Sequence, residues 1–342
     1  MDARITKKRL SENLQYDWIK IIVCVVAVII LWELIFTVSG VRLSAGQEFK
    51  VYYYSTMNAS SSTKMRSMLN KEGVLSYDVL EKNIETLTKD YESTVLSARV
   101  SVSEGDIMFI DNVLTESSEE YKKQDTRCSS SNFKNFINGY SVYDYDALLE
   151  DAKRYLENFK TNGQFDDGKI EQSFRKRMKK DNRFRKEAQI KEGIIEETKR
   201  LNKLQEEVDA FSYIIEQYGD TDLFVNEVYG EYYFFSNLDE ANYKSFVENG
   251  TVSGSEMQEQ LELYQERLSA GKKKFAINAN YLKNGVNSIF NLVSVYDKTD
   301  SSDACICVFN FKSAQPDLQF ETISVINEII REYSNLFAGY GV

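Results

Sequence analysis

The sequence predicts an α/β fold that follows an N-terminal transmembrane helix. Residues 21–41 form an apolar run interrupted by one ionisable residue, Glu33. After this run, short apolar segments typical of β-strands alternate with helical patterns near both ends of the chain, and a charged, helix-rich region lies between them. Such alternation is typical of a parallel sheet with helical crossovers. We therefore expect an ectodomain in which the C-terminal segments rejoin a sheet begun by the N-terminal ones.

The apolar run has the length of a membrane span. As a helix, its residues would extend about 31 Å, which matches the hydrocarbon core of a bilayer. Basic residues concentrate before the run, and this bias predicts a single-pass protein of the cell membrane, with residues 1–20 in the cytoplasm and the C-terminal domain extracellular. The basic residues before the run are Arg4, Lys7, Lys8, Arg9 and Lys20.

A cleaved signal peptide is the alternative interpretation of this segment. The sequence "LSA" at 43–45 resembles a cleavage site, and the apolar part before Glu33 is short. The continuation of the run to Val41 favours a retained anchor, and Cys24 lies too early in the run to be a lipid-attachment cysteine. A carboxylate within a span often marks a partner, so we expect Glu33 to contact another membrane protein.

Charge and composition restrict the chemistry of the ectodomain. Beyond residue 41 the chain has 37 basic and 49 acidic residues, a net charge of −12, which disfavours nucleic acid and anionic lipid as partners. The chain has no histidine, which excludes a Ser-His-Asp or Cys-His centre and any His-ligated metal. We predict no cofactor, no metal and no enzymatic activity; paired carboxylates are the one catalytic option that composition leaves open.

Cysteine usage favours packing over a disulfide framework. The ectodomain has three cysteines, an odd number that prevents complete pairing. In a strand, Cys305 and Cys307 would share one face with Phe309 and Phe311, which predicts a buried surface. A disulfide from Cys128 to one of the other two stays open.

The predicted elements fall into three zones. The first holds the strand "FKVYYYST", the loop "STMNASSST", the helix "KMRSMLNKEG", a strand within "YDVLEKNIETL", the helix "YESTVLSARVSVSEG" and the strand "DIMFID". The last holds the strands "KFAINANYL" and "DACICVFNFKS" and a closing amphipathic helix within "DLQFETISVINEIIREYSNLF". The expected boundaries are 1–20 cytoplasmic, 21–41 transmembrane, 42–147 the first part of an α/β lobe, 148–270 a helical region or second lobe, and 271–342 the strands and helix that complete the α/β lobe.

The middle zone is helical and strongly charged. Apolar residues spaced 3, 4, 3 and 4 apart predict one packed helix of a bundle or hairpin. Upstream, the basic segment "FRKRMKKDNRFRKE" is expected to be a solvated helix face that could dock an acidic partner. The string "GQFDDGKI" matches a phosphate-binding loop in spacing only, because its acids would repel phosphate, and a solvated turn is expected. The spaced apolar residues are Leu201, Leu204, Val208, Phe211 and Ile215.

The order of "EFKVYYYS" and "ESTVLSARVSVSEGDIMFID" resembles the opening of bacterial extracellular solute-binding proteins that serve ABC importers. The resemblance rests on a turn with Gly105 and Asp106 that leads into the apolar strand "IMFI". It implies a periplasmic-binding-protein-like ectodomain, with one or two lobes, that presents a small solute to a membrane permease. In open α/β sheets, ligands bind beyond the carboxyl ends of the strands. The candidate ligand-binding residues are therefore Tyr54, Ser55, Thr56, Asp111 and Asn112, together with Tyr140 and Tyr143 from the hinge or facing lobe.

Two classes of function follow from the sequence. The first is a membrane-tethered solute-binding subunit of an importer. The second is a non-transporting interaction or scaffold protein that keeps the fold without a working cleft. Both tryptophans, Trp18 and Trp32, lie at or within the predicted span, which lowers the expectation of a carbohydrate ligand because sugars commonly stack on aromatic rings.

Overall fold

The computed structural model describes residues 18–20, 22–34, 43, 45–58, 61–112, 131–226, 254–255, 273–285, 287–294, 304–311 and 319–340. The chain divides into two compact units, Met1–Ser44 and Ala45–Val342. The divisions expected after residues 147 and 270 both fall inside the second unit.

The described part of the first unit is helical. Residues 18–20 and 22–34 are in α-helix, and Glu33 lies in this helix with its apolar neighbours largely exposed. Within the described ranges, no helix has both the length and the apolar character needed to cross a membrane. The predicted span continues into residues 35–41, which lie outside the described residues, and the transmembrane anchor stays a prediction.

The second unit begins with the predicted alternation of strands and helices. Each strand and helix of the first zone is confirmed, although the first helix begins earlier than expected, at Ser61, in the segment predicted as a loop. These elements are β1 (Glu48–Tyr53), α1 (Ser61–Leu69), β2 (Glu81–Thr86), α2 (Glu92–Ser101) and β3 (Ile107–Asp111).

The remaining elements include a long central helix and three further strands of the main sheet. The short strand Phe224–Asn226 lies in the zone predicted to be helical. The elements are α3 (Ser131–Gly139), α4 (Tyr145–Glu157), β4 (Lys160–Thr161), β5 (Gln164–Phe165), α5 (Asp167–Arg177), α6 (Glu187–Tyr218), β6 (Phe224–Asn226), β7 (Lys274–Asn278), β8 (Ala304–Val308) and α7 (Glu321–Tyr333).

The main sheet is mixed, with the strand order β2-β1-β3-β8-β7-β6. β2, β1 and β3 are parallel, whereas β8 pairs antiparallel with β3, and β7 and β6 continue the antiparallel half. The C-terminal strands therefore lie beside the N-terminal ones in a single sheet, as the sequence predicted.

Two hydrophobic cores cover the two faces of this sheet. The larger contains Phe49, Val51 and Tyr53 of β1 together with buried side chains of α1, α4, α6 and α7. The smaller contains Tyr52 of β1, Leu96 of α2 and side chains from β3, β8 and α3. The alternation along β1 follows from the period of two in a strand. The helix-rich middle thus packs on the same sheet and forms no separate lobe among the described residues.

The predicted seam and cysteine pattern are both confirmed. Four seam residues of α6 are buried in the larger core, and Ile215 packs against it. Cys305, Cys307, Phe309 and Phe311 lie together in the smaller core. "GQFDDGKI" was expected to be a solvated turn, but it contains β5 and the first turn of α5. The Asp166 side chain caps α5 by accepting hydrogen bonds from the backbone N–H groups of Gly168 and Lys169.

Candidate functional site

The helices α1 and α2 cross to opposite faces of the sheet. α1 connects β1 to β2 and packs in the larger core, whereas α2 connects β2 to β3 and packs in the smaller one. β1 lies between β2 and β3 in the sheet. The connection through α1 therefore leads to the strand on one side of β1, and the connection through α2 leads to the strand on its other side. This arrangement makes the carboxyl ends of β1 and β3 a topological switch point, the place where open α/β sheets commonly bind ligands.

Five of the sequence-predicted residues lie at this edge. Tyr54, Ser55 and Thr56 directly follow β1, Asp111 ends β3, and Asn112 follows it. The two strands are hydrogen-bonded neighbours that run in the same direction, so the structure brings their ends together. Whether these residues bind a ligand stays a prediction.

Asp111 is the most buried member of the group. Only 3% of its surface is exposed. The Thr56 hydroxyl donates a hydrogen bond to Asp111 Oδ1, which links the segment after β1 to the end of β3. A hydrogen bond to a charged group contributes more than one between neutral groups, so this contact fixes the local geometry.

Glu92 is a second carboxylate at the same edge, and the sequence analysis missed it. It is the first residue of α2, where a negative charge is favoured by the helix dipole. Both the Tyr54 hydroxyl, at 2.9 Å, and the Ser55 hydroxyl donate to it. Acidic residues are common in the first turn of a helix, so the residue type alone gives no signal. The signal that could have identified Glu92 is its position soon after β2, which ends at the same edge of the sheet. We call Tyr54, Ser55, Thr56, Glu92 and Asp111 the strand-end cluster.

The two predicted tyrosines beyond β3 lie on different faces of the sheet. Tyr140 packs against the smaller core, and its hydroxyl is 3.4 Å from Ser97 Oγ of α2. Burial raises the pKa of Tyr54, and the hydrogen bond to Glu92 and electrostatic interactions with Glu92, Asp111 and Tyr140 raise it further.

Tyr143, in contrast, is a packing residue. It is fully buried in the larger core, on the side of the sheet opposite Tyr140. Its backbone N–H donates to the Val308 carbonyl at 2.8 Å, and burial raises the pKa of its hydroxyl. The structure therefore does not bring Tyr143 together with the other candidate residues.

The strand-end cluster combines carboxylate acceptors with hydroxyl donors. Among the described residues, no group of three or more His, Cys, Asp or Glu side chains could hold a metal ion. The cluster can accept hydrogen bonds from hydroxyl or ammonium groups if a ligand replaces the internal hydroxyl donors, and the Tyr54 ring adds an aromatic surface beside them.

A second polar cluster lies toward the amino ends of the parallel strands. It consists of Asp78, Arg177, Arg183, Glu197 and Arg200, which we call the arginine network. Arg177 donates two hydrogen bonds to Glu197, at 3.0 and 2.7 Å, and Arg200 donates two more to it, at 3.1 and 2.8 Å. Arg183 donates a hydrogen bond at 2.6 Å to the fully buried Asp78, which lies three residues before the start of β2.

The network corrects the interpretation of the basic segment. "FRKRMKKDNRFRKE" was expected to be a solvated face, yet Arg177 and Arg183 point inward from it to buried carboxylates. Burial alone would raise the pKa of Glu197, but Arg200 and Arg177 outweigh it and hold that pKa well below its usual range. Arg175 and Lys176 are exposed, as expected. The single basic run therefore contains both solvated and structural cations.

No protein-family model, curated protein or solved structure matches this chain, and the positions of its own residues carry the functional interpretation.

Proposed function

We propose that the chain is a membrane-tethered, extracellular solute-binding-like protein that presents a small solute to an ABC-type permease. The observation that carries this proposal is the strand-end cluster, since polar side chains from separate segments converge at the switch point of the sheet. The strand order is compatible with it, because the C-terminal β8 pairs with the N-terminal β3 in one sheet. The anchor is the apolar run 21–41, within which Glu33 contacts a membrane partner.

The chemistry of the cluster indicates the class of solute. Glu92 and Asp111 supply acceptors, and three hydroxyl groups surround them. A solute that offers ammonium or hydroxyl donors can take over these bonds, whereas an anionic solute would meet two carboxylates. We therefore favour amines, amino acids presented through their ammonium group, and polyhydroxylated compounds.

A second candidate function is a non-transporting interaction protein that keeps the fold. The observation that favours it is the pairing within the cluster, since hydroxyls and carboxylates already satisfy one another and Asp111 is almost fully buried. In this case the same bonds serve to close the edge of the sheet, and no solute displaces them.

A thermal-shift screen of the full-length chain separates the two functions. The panel would contain polyamines, amino acids, sugars and short peptides. A ligand at 100 times its Kd adds about 2.7 kcal/mol to the free energy of unfolding, so a true solute raises Tm by several degrees. No shift with any compound would favour the interaction protein.

The Asp111→Asn variant assigns any shift to the cluster. It keeps the shape of the side chain and removes its charge, so the shift caused by a solute should be lost. Asp209→Asn is the matched control, because Asp209 lies on the exposed face of α6. A solute that stabilises wild type and Asp111→Asn equally would place its site elsewhere and contradict the proposal.

The membrane anchor has its own test. Mass spectrometry of the mature N terminus from membranes should recover a peptide that precedes residue 21. A mature chain that begins near residue 46 would instead establish a cleaved signal peptide.

A further inference from the structure

We propose that a cavity beside Arg200 is a separate binding site for a small organic carboxylate. The cavity has a volume of about 150 Å³ and is partly open. It lies between the segment 74–77 that precedes β2, the middle of α6 and the first turn of α7. It belongs to neither the strand-end cluster nor the proposed solute site.

Arg200 lines this cavity and has one buried nitrogen without a hydrogen-bond acceptor among the described residues. Its side chain is 97% buried, and two of its nitrogens are occupied: Nε and Nη2 donate to Glu197, and Nη2 also donates to the Tyr155 hydroxyl at 2.6 Å. The third, Nη1, has no hydrogen-bond acceptor among the described residues, although it forms an ion pair with Glu321 Oε1 at 3.6 Å. A buried donor without an acceptor costs about 1–3 kcal/mol, so it marks a place where an anionic oxygen would be bound.

Two lysines of the same helix add positive charge. Lys199 and Lys203 line the cavity one and three residues from Arg200. Lys199 is 2.7 Å from Glu196, which offsets its charge. Lys203 Nζ lies 3.1 Å from the position that a Cβ on Gly73 would occupy, so the missing side chain at this glycine, which has a φ of +81°, leaves room for the ammonium group.

Glu321 lines the cavity, and its carboxyl group repels a bound anion only when it is ionised. Burial raises its pKa, although Arg200 lowers it again. A protonated Glu321 can donate a hydrogen bond to a ligand carboxylate while Arg200 Nη1 binds the other oxygen. The titratable groups that interact with it are Arg200 and Glu197 of α6 and Asp106 before β3, and Ser76 forms hydrogen bonds with it.

Part of the cavity wall is apolar and suits a short hydrocarbon chain. The polar residues that also line it are Ser76, Tyr77, Glu196 and Ser324. Val74 and Leu204 are buried, and Leu75 is partly buried. An apolar cavity of this volume accommodates a molecule of about the size of benzene. A carboxylate with three to five further carbons therefore fits both the cationic end and the apolar wall.

Butyrate is the probe for this site. Binding to the full-length chain would be followed by saturation-transfer NMR, with butan-1-ol and inorganic phosphate as comparison compounds. Butyrate should bind in a saturable way and at least fivefold more tightly than either of them. Equal binding of butan-1-ol would remove the role of the cations, and equal binding of phosphate would leave only a general anion site; either result overturns the proposal.

Three variants locate the binding. Lys203→Gln should raise the Kd for butyrate at least threefold, whereas the exposed Lys191→Gln on the same helix should leave it unchanged. Leu75→Trp should fill the cavity and abolish binding, with Tm measured to confirm folding. A folded Leu75→Trp variant that binds like wild type, or equal effects of the two lysine variants, refutes the site. Asp111→Asn should not change the Kd, because the strand-end cluster is a different site.

Discussion

The two ends of the parallel strands carry polar clusters of opposite construction. At the carboxyl ends, hydroxyls of Tyr54, Ser55 and Thr56 donate to carboxylates. At the amino ends, arginines hold buried carboxylates through multiple charged hydrogen bonds. Hydroxyl donors can be replaced by donors of a ligand at small cost, whereas a buried carboxylate cannot lose its arginine without a large penalty. The comparison indicates that the carboxyl ends of the strands are suited to exchange hydrogen-bond donors with a ligand, whereas the amino ends are suited to stabilise the fold.

The arginine network joins segments that are distant in the chain. Glu197 belongs to α6, Arg177 to the end of α5, and Asp78 to the segment before β2. Side chains held at both ends in this way fix the long helix α6 on the sheet. A cluster held by several buried charged hydrogen bonds should therefore contribute more to stability than the strand-end cluster, whose donors are hydroxyl groups.

Removing Glu197 should have the largest effect of the changes considered. Glu197→Ala leaves Arg177 and Arg200 buried without their carboxylate, and breaking a buried pair costs about 3–5 kcal/mol in the free energy of unfolding. Urea denaturation followed by circular dichroism measures this loss.

Glu187→Ala provides the matched control for that variant. Glu187 also pairs with an arginine, Arg175, but both side chains are well exposed. An exposed pair contributes at most about 1 kcal/mol, so this variant should change stability little. Similar losses for the two variants would show that burial does not distinguish the network from a surface pair.

The parallel half of the sheet could be predicted because its signals are local. β1 and β3 are short apolar runs, α1 and α2 occupy the segments between β-strands, and strand-end residues follow from chain order. Glu92 and the arginine network could not be predicted in the same way, since their partners depend on tertiary contacts. Arg177 and Arg183 look like other members of a basic run until the fold turns them inward. The separation of Tyr143 from the other candidate residues could not be predicted for the same reason, because packing determines the face of the sheet on which it lies.

An intermediate effect is expected in the strand-end cluster. Thr56→Val keeps the side-chain shape and removes the hydroxyl that donates to Asp111. A hydrogen bond to a charged group contributes about 1.5–3 kcal/mol, and the edge position places the expected loss of stability near the lower value. Thr63→Val, at an exposed position of α1, should stay within about 0.5 kcal/mol of wild type.

The stability of Thr56→Val tests whether the strand-end cluster and the arginine network differ in their contribution to the fold. A loss as large as that of Glu197→Ala would mean that the strand-end cluster also holds the fold, which favours the interaction protein over a solute-binding one. The measurement is again the midpoint and slope of urea denaturation.

The smallest effect is expected from Asp106, at the amino end of β3, and it depends on pH. Asp106 Oδ2 accepts the Lys50 backbone N–H at 2.8 Å, and burial raises the pKa of this carboxyl from its ordinary value of 3.8 to about 7. Between about pH 4 and pH 7 the unfolded chain has released this proton while the folded chain retains it. Stability from this group is therefore present at low pH and lost as the pH rises toward 7. Asp106→Asn keeps the acceptor and removes the titration.

Comparing wild type with Asp106→Asn isolates this contribution from that of the arginine network. Between pH 4 and pH 7, wild type should lose about 1 kcal/mol more of its free energy of unfolding than the variant. This value is smaller than the full shift in pKa would give, because the Asp106 residue is only partly buried and solvent screens its charge. Glu197 acts in the opposite direction, since its lowered pKa makes stability fall as the pH drops below about 4.5, the usual range of a glutamate. Urea denaturation at four pH values distinguishes them. If wild type and variant lose equal stability between pH 4 and pH 7, Asp106 does not carry the raised pKa, and the amino end of the strands contributes to pH dependence through the arginine network alone.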